Sequence, residues 1–266
     1  MALKLVVPRI VQRFVYYPQR LEENEADPAG WGLPRAETVF LTTQDGVRLH
    51  AWWLPAPAEG TTRHGAAIYL HGNAGHLAHR AGMGLALARM GLDVLMVDYR
   101  GYGRSEGSPD EEGLYRDAEA AWRYVTSVRG APPDRVVLFG ESLGGAVAVE
   151  LASRRTVGAI VLVAPLTGTV RIARAHYPIP DILLDWPEHR FEALSRIDGV
   201  DAPIMIAHGD RDRVVPRDEG RLLYDAAPEP KRWYEARDYG HNDIYNDPGL
   251  WRAIERFVQE VLPSGE

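Results

Sequence analysis

Short apolar runs alternate along the chain with segments whose apolar residues recur at helical spacing. The runs occupy residues 66–70, 92–97, 136–139, 159–163, 204–207 and 232–236. The helical segments are residues 77–90, 112–128, 143–153, 217–226 and 250–261. Strands rich in Val, Ile and Leu that alternate with helices are typical of a parallel sheet covered on both faces. The pattern therefore predicts the α/β class with a mainly parallel central sheet.

The chain begins differently, because residues 37–43 and 47–54 are β-rich runs that flank Gln44-Asp45-Gly46. An Asp-Gly pair between two such runs predicts a β-hairpin, and hence an antiparallel start to the sheet. Residues 17–34 are polar and rich in Pro, Gly and acidic residues, which is typical of irregular structure. We therefore assign residues 1–36 to an N-terminal segment and residues 37–266 to one α/β domain.

One long interval, at about residues 167–200, interrupts the alternation of strands and helices. A connection of this length inside a compact domain is usually functional, and we interpret it as a small cap. Its apolar side chains are expected to line a substrate pocket. The residues predicted to bind substrate there are Tyr177, Ile179, Leu183 and Trp186.

Apolar residues also recur at helical spacing near the N-terminus, with Lys4, Arg9 and Arg13 between them. The stretch lacks the ~18 consecutive apolar residues of a spanning helix, and no small-residue cleavage site follows it. We therefore predict neither a transmembrane span nor a signal peptide. Two interpretations stay open for residues 1–16, a helix lying on an anionic membrane surface and a helix packed on the domain. The predicted location is cytoplasmic, with peripheral membrane contact under the first interpretation.

The net charge and the absence of cysteine exclude some classes of partner and of functional site. The chain has 266 residues, a formal net charge of −7 and no cysteine. A protein of this charge is not expected to bind nucleic acid, whose phosphates require a positive surface. Without cysteine there is no disulfide framework, thiol nucleophile or thiolate metal site.

The pentapeptide Gly140-Glu141-Ser142-Leu143-Gly144 follows a predicted strand and precedes a helix rich in small residues. This context is typical of a nucleophile elbow (residues 140–144), a tight turn that exposes a serine at the top of the sheet. The same Gly-x-Ser-x-Gly spacing occurs around Ser105, but Pro109 follows closely and no apolar helix comes directly behind it. We therefore predict Ser142 as the nucleophile and Ser105 as a loop residue.

A serine hydroxyl is a poor nucleophile at neutral pH, so a base must remove its proton and an acid must orient that base. The chain order expected after this kind of elbow is serine, acid, histidine. We predict His241 as the base, because it lies on a loop between the last strand and the last helix. For the acid we predict Asp212, at the tip of a turn after a strand. Asp210, nearer the strand end, is the alternative.

The developing oxyanion needs two backbone donors, and one is expected from Leu143, directly after the serine. The other is predicted at Asn73 in the loop His71-Gly72-Asn73-Ala74-Gly75 (the 71–75 loop). His76 and His79 are three residues apart, but no further ligand is grouped with them, so we predict no metal. We also predict no cofactor.

Taken in chain order, these motifs and Asp98-Tyr99-Arg100-Gly101-Tyr102-Gly103 resemble one branch of the α/β-hydrolase superfamily. That branch holds small esterase-like hydrolases and membrane-associated lysophospholipases and depalmitoylating thioesterases. The resemblance implies the α/β-hydrolase fold and a serine hydrolase. The leading expectation is hydrolysis of a small-molecule or lipid carboxylic ester through an acyl-enzyme. The alternatives are an acyl-protein thioesterase or lysophospholipase and, in another class, a non-catalytic scaffold.

Overall fold

A computed structural model describes residues 15–58, 62–176 and 189–262. In chain order its strands are β1 (Tyr17–Pro18), β2 (Glu37–Thr42), β3 (Arg48–Leu54), β4 (Gly65–Leu70), β5 (Ala74–Gly75), β6 (Leu92–Val97), β7 (Val136–Glu141), β8 (Ala159–Val163), β9 (Ile204–Gly209) and β10 (Lys231–Ala236). Within these residues, the main sheet has the order β10-β9-β8-β7-β4-β6-β3-β2. Strands β1 and β5 form a separate pair.

The sheet is mainly parallel, as the apolar pattern predicts. Only β2 and β3 depart from this among the described strands, because β2 pairs antiparallel with β3, and β3 antiparallel with β6. Thr42 lies opposite Arg48, so the predicted hairpin turn falls between them. The carboxyl ends of the parallel strands therefore meet at one edge of the sheet, where function is expected in open α/β sheets.

Helices cover both faces of the sheet. They are α1 (Ala81–Arg89), α2 (Glu111–Arg123), α3 (Leu143–Ala152), α4 (Thr169–His176), α5 (Arg217–Ala226) and α6 (Pro248–Val261). Alternate residues of β7 point to opposite faces, so Leu138 packs in one buried cluster with Val147 of α3. Phe139 packs in the other cluster with Phe257 of α6. The predicted mainly parallel sheet with helices on both faces is thereby confirmed.

Two predicted helices have less regular ends than their periodicity indicates. The segment predicted at residues 77–90 starts with a 3-10 turn, Leu77–Arg80, before α1 begins. The segment predicted at residues 112–128 changes after Arg123 into a π-helical turn, Tyr124–Val128. These turns span only 4 and 5 residues, which is too short for their period to be recognised in the apolar spacing.

The irregular segment before β2 is packed onto the body of the protein. Residues 15–21 (the strap) lie between the 71–75 loop and the loop that follows β6. Within the strap, Tyr17 N donates to Asn73 O at 2.8 Å and Leu21 N to Gly103 O at 3.3 Å. Leu21, Ala26 and Leu33 are buried in the core.

Two predictions fall on residues that the structure does not describe. The basic helical face lies mostly in residues 1–14, and the predicted substrate-binding residues Tyr177, Ile179, Leu183 and Trp186 lie in residues 177–188. Of the predicted cap, the structure gives α4 and the segment from His189 onward. None of the described helices has the length and apolar character needed to cross a membrane.

Candidate active site

Ser142 occupies a tight turn between β7 and α3. Its backbone has φ 52° and ψ −114°, a left-handed conformation that is costly for a residue with a side chain. The turn is held by Ser142 N, which donates to Val163 O at 3.0 Å, and by Gly145 N, which donates to Ser142 O at 2.9 Å. The residue is 7% exposed. This is the geometry of a nucleophile elbow.

The start of α3 packs tightly against the end of β4. A β-carbon at Gly144 would lie 2.0 Å from the carbonyl oxygen of Leu70, so only glycine allows this approach. Leu143 is the first residue of α3, and the first N–H groups of a helix have no acceptor within the helix. The positive end of the helix dipole therefore lies beside Ser142.

Asp212 and His241 come from the turns after β9 and β10 and are in contact. His241 Nδ1 lies 2.7 Å from Asp212 Oδ2, while Asp212 Oδ1 accepts hydrogen bonds at 2.8 Å from the N–H groups of Val214 and Val215. The Asp212 side chain is fully buried, and that of His241 is 12% exposed. The imidazole of His241 is thus held through its Nδ1 atom at the carboxyl edge of the sheet.

The carboxylate of Asp212 is strongly stabilised in its charged form. Burial opposes ionisation, but hydrogen bonds from His208 and His241 outweigh it and hold the pKa of Asp212 well below its usual range. Because a carboxylate only accepts hydrogen bonds, His241 Nδ1 carries the proton in this contact. Its Nε2 is then the basic nitrogen.

The alternative acid has a different partner. Asp210 is exposed, and its Oδ1 accepts a hydrogen bond from Asp238 N at 2.7 Å. Asp210 therefore links the turn after β9 to the turn after β10, while Asp212 contacts His241.

The 71–75 loop lies next to Ser142, the predicted nucleophile. A β-carbon at Gly72 would be 3.5 Å from Ser142 Cβ, so this part of the loop approaches the elbow closely. Asn73 is fixed on both sides: its Nδ2 donates to Val15 O at 2.9 Å, and its carbonyl oxygen accepts from Tyr102 Oη at 2.8 Å. The loop that carries one predicted oxyanion donor is therefore tied to the strap and to the loop after β6.

The other serine with the Gly-x-Ser-x-Gly spacing has a structural role. Ser105 is completely buried. Its Oγ donates to Asp98 O at 2.7 Å and accepts from His50 N at 2.9 Å. It is a loop residue, as predicted. His76 and His79, which raised the question of a metal, stack with ring centroids 3.9 Å apart at the 3-10 turn before α1.

Sequence reasoning missed an ion pair directly beneath the elbow. Glu141, the residue before Ser142, binds Arg80 and accepts a hydrogen bond from Tyr69 Oη at 2.7 Å. The glutamate is visible in the motif, but its partner is distant along the chain. The sequence also gives no signal for the contact between His208 and Asp212, whose Nε2 and Oδ2 atoms lie 3.2 Å apart.

Two bacterial proteins are similar in sequence to this chain over almost its whole length. The chain is 37% identical over 260 residues to uncharacterized protein Rv2307c of Mycobacterium tuberculosis, covering 96% of this chain and 89% of that protein. It is 32% identical over 265 residues to uncharacterized protein YfhR of Escherichia coli K12, covering 97% and 90%.

Solved structures show the same fold at lower identity. An α/β hydrolase of Vibrio vulnificus superposes with a TM-score of 0.77 at 19% identity, covering 95% of this chain and 94% of that one. An esterase of Pyrococcus furiosus gives a TM-score of 0.72 at 20% identity, covering 93% and 98%. The family model described as serine aminopeptidase, S33 (Hydrolase_4) matches residues 61–194. The chain therefore belongs to the serine aminopeptidase S33 family within the α/β-hydrolase superfamily.

Proposed function

We propose that this protein is a serine hydrolase that cleaves carboxylic esters with Ser142 as nucleophile, His241 as general base and Asp212 as the acid that orients it. Membership of a hydrolase family supports hydrolase activity. The observation that carries the assignment is the 2.7 Å contact between His241 and Asp212, which follow β10 and β9 at the same edge of the sheet where Ser142 follows β7.

In the proposed reaction, Ser142 Oγ attacks the acyl carbonyl while His241 Nε2 takes the hydroxyl proton. The N–H groups of Leu143 and Asn73 stabilise the negative charge that develops on the carbonyl oxygen. His241 then gives its proton to the leaving alkoxide, and the acyl group remains on Ser142. Water then attacks the acyl-enzyme while His241 Nε2 takes its proton. As the bond between the acyl carbon and Ser142 Oγ breaks, His241 returns the proton to Oγ, which releases the acid and regenerates Ser142.

Small-molecule or lipid acyl esters are the proposed substrates. Asp212, His241 and the helix N-terminus would serve thioesters and lysophospholipids equally, since acyl transfer proceeds through the same tetrahedral intermediate. The Pyrococcus furiosus protein of the same fold is an esterase, which makes oxyesters the first class to test. Comparing acyl thioesters with oxyesters of the same chain length separates the two substrate classes.

The test is labelling with a fluorophosphonate probe, followed by turnover of p-nitrophenyl esters of increasing acyl length. We expect the wild type to be labelled and active, and Ser142→Ala to lose both. Ser105→Ala is the matched control, because Ser105 has the same motif spacing but a purely structural setting. Full ester turnover by Ser142→Ala, or an intact wild type that neither labels nor turns over, contradicts the proposal; the second result favours a non-catalytic scaffold.

A further inference from the structure

An ion pair lies directly beneath the nucleophile elbow. Arg80 Nη2 donates to Glu141 Oε1 at 2.8 Å, and Arg80 Nε donates to Glu141 Oε2 at 3.2 Å. Tyr69 Oη donates to the same Oε2 at 2.7 Å. The side chains of Arg80 and Glu141 are only 15% and 13% exposed. The two-point contact with a further hydrogen bond fixes the glutamate in one orientation.

The pair contacts both structures that carry the proposed oxyanion donors. Glu141 is bonded covalently to Ser142, and Leu143 follows. On the other side, a β-carbon at Gly72 would lie 3.0 Å from Glu141 Oε1, and one at Gly75 would lie 2.8 Å from Arg80 Nη1. The ion pair therefore fills the space between the elbow and the 71–75 loop, and it touches that loop on either side of Asn73.

Arg80 also connects these parts along the chain. It ends the 3-10 turn Leu77–Arg80, which follows the 71–75 loop directly. Its guanidinium reaches back under that loop to the residue before the nucleophile. Pairing of β4 with β7 sets Leu70 opposite Gly140 and so brings the two segments side by side. The ion pair adds a side-chain link between them beyond the ends of these strands.

An ion pair that is largely shielded from solvent is weak support for stability, because desolvation of the two charges offsets much of their attraction. Its more specific effect is geometric, since the charged groups bind only in one arrangement. Burial raises the pKa of Glu141, but the hydrogen bonds and charge of Arg80 outweigh it, so the pKa is lowered and the carboxylate stays ionised.

We propose that the Arg80–Glu141 ion pair is a positioning device that sets the separation between the N–H groups of Asn73 and Leu143. Neither residue touches the reacting atoms in this proposal. It rests on the proposed function, because it concerns the oxyanion donors of that reaction. Donors displaced by a fraction of an ångström bind the transition state less well while still admitting the substrate.

The test compares the ester turnover of the wild type with that of Glu141→Gln, Arg80→Met and the double variant. The substrate is p-nitrophenyl butyrate, and the assay temperature is well below the Tm of each variant. We expect each single variant to lower kcat by about ten- to hundredfold, with KM changed by less than about threefold. The double variant should be no slower than the slower single variant, because the two residues act as one unit.

A second measurement separates positioning from stability. Butylboronic acid forms a tetrahedral adduct with an activated serine, and the adduct mimics the oxyanion. Its Ki should rise by the same factor as kcat falls. Arg80→Lys keeps the positive charge and is expected to recover part of kcat, and it serves if Arg80→Met does not fold.

The matched control is Glu150→Gln. Arg154 binds Glu150 through the same two nitrogens, Nε at 2.7 Å and Nη2 at 2.9 Å, at the far end of α3. Loss of the Arg154–Glu150 ion pair is expected to leave kcat and the boronate Ki unchanged, whatever the shift in Tm.

The outcomes distinguish the two proposals. If the wild type hydrolyses esters but the Arg80 and Glu141 variants keep its kcat and Ki and change only in Tm, the positioning role is overturned and the proposed function stands. If the wild type itself neither labels nor hydrolyses, both fail. A loss of kcat with an unchanged boronate Ki also contradicts the positioning role.

Discussion

His208 Nε2 lies 3.2 Å from Asp212 Oδ2, the same carboxylate oxygen that His241 Nδ1 contacts. His208 Nε2 is also 2.9 Å from Val215 O, and both neighbours are acceptors, so this nitrogen carries a proton. His208 is fully buried and belongs to β9. The strand therefore supplies a hydrogen-bond donor on a rigid element, and this donor helps to fix the carboxylate that His241 contacts.

Replacing His208 is expected to separate the role of its Nε2 from the size of its ring. His208→Gln places an amide nitrogen near the position of Nε2, whereas His208→Asn reaches only as far as Nδ1. We expect kcat within about threefold of wild type for His208→Gln, and a fall of about tenfold or more for His208→Asn. Equal activity of the two variants would show that the donor is not used.

The two aspartates of the β9 turn provide a matched pair of substitutions. Asp212→Asn removes the negative charge that stabilises the protonated base and favours the wrong tautomer of His241, so kcat should fall by about four orders of magnitude. Asp210→Asn alters only an exposed contact with Asp238 N and should change kcat by less than about twofold. The measurement is steady-state ester turnover. Comparable losses in both variants would contradict the assignment of the acid.

His71 is expected to make the fold sensitive to acid. Burial lowers its pKa from 6.5 to about 4, although the carboxylate of Asp98 lies 3.8 Å from Nε2 and opposes the shift. Between these two pKa values the unfolded chain binds the proton and the folded chain does not. The contribution of His71 to the unfolding free energy is therefore fully present above pH 6.5 and is lost as the pH falls toward 4. The full loss from this group is about 3 kcal/mol.

Urea unfolding of wild type and His71→Gln over a pH range from about 4 to about 7.5 checks this prediction. The difference in unfolding free energy between the two proteins should shrink as the pH falls, because a glutamine side chain does not titrate. A difference that is constant over this pH range would exclude His71 as the source of acid sensitivity.

The amide of Asn73 is expected to matter through its contact with the strap. Asn73→Ala keeps the proposed oxyanion donor, which is a backbone N–H, but removes the hydrogen bond from Nδ2 to Val15 O. We expect kcat to fall by about tenfold with little change in KM. Gln19→Ala is the control, since the exposed Gln19 bonds to neighbouring loops through its backbone. A wild-type kcat in Asn73→Ala would show that the contact between Asn73 and the strap does not affect turnover.

The sequence predicts the parts of this molecule that follow a period or a turn rule. The order of strands and helices, the hairpin of β2 and β3, and the elbow at Ser142 all have local signals. Because parallel strands end at one edge, the loops after β9 and β10 are also expected to be neighbours, and the structure brings Asp212 and His241 into contact there. Their catalytic roles stay predictions until they are tested by substitution.

Contacts between distant polar residues have no such signal. Arg80 and Glu141 are 61 positions apart, and an arginine at the start of a helix is usually exposed. His208 reads simply as the end of an apolar strand, because the sequence does not give the direction of its side chain. The strap has no periodicity at all, so neither its pairing with β5 nor its contact with Asn73 is predictable from composition.

The strap holds its neighbours mostly through main-chain atoms: Tyr17 N, Gln19 N, Gln19 O and Leu21 N bind the two loops, and Val15 O accepts the Asn73 amide. At the exposed positions 17–19, many different side chains are compatible with these bonds. These positions can therefore vary while the geometry of the strap persists, and an alanine scan of them would leave the bonds in place. A proline that removes one of these donors, or a deletion, would reveal a contribution that neither an alignment nor a scan detects.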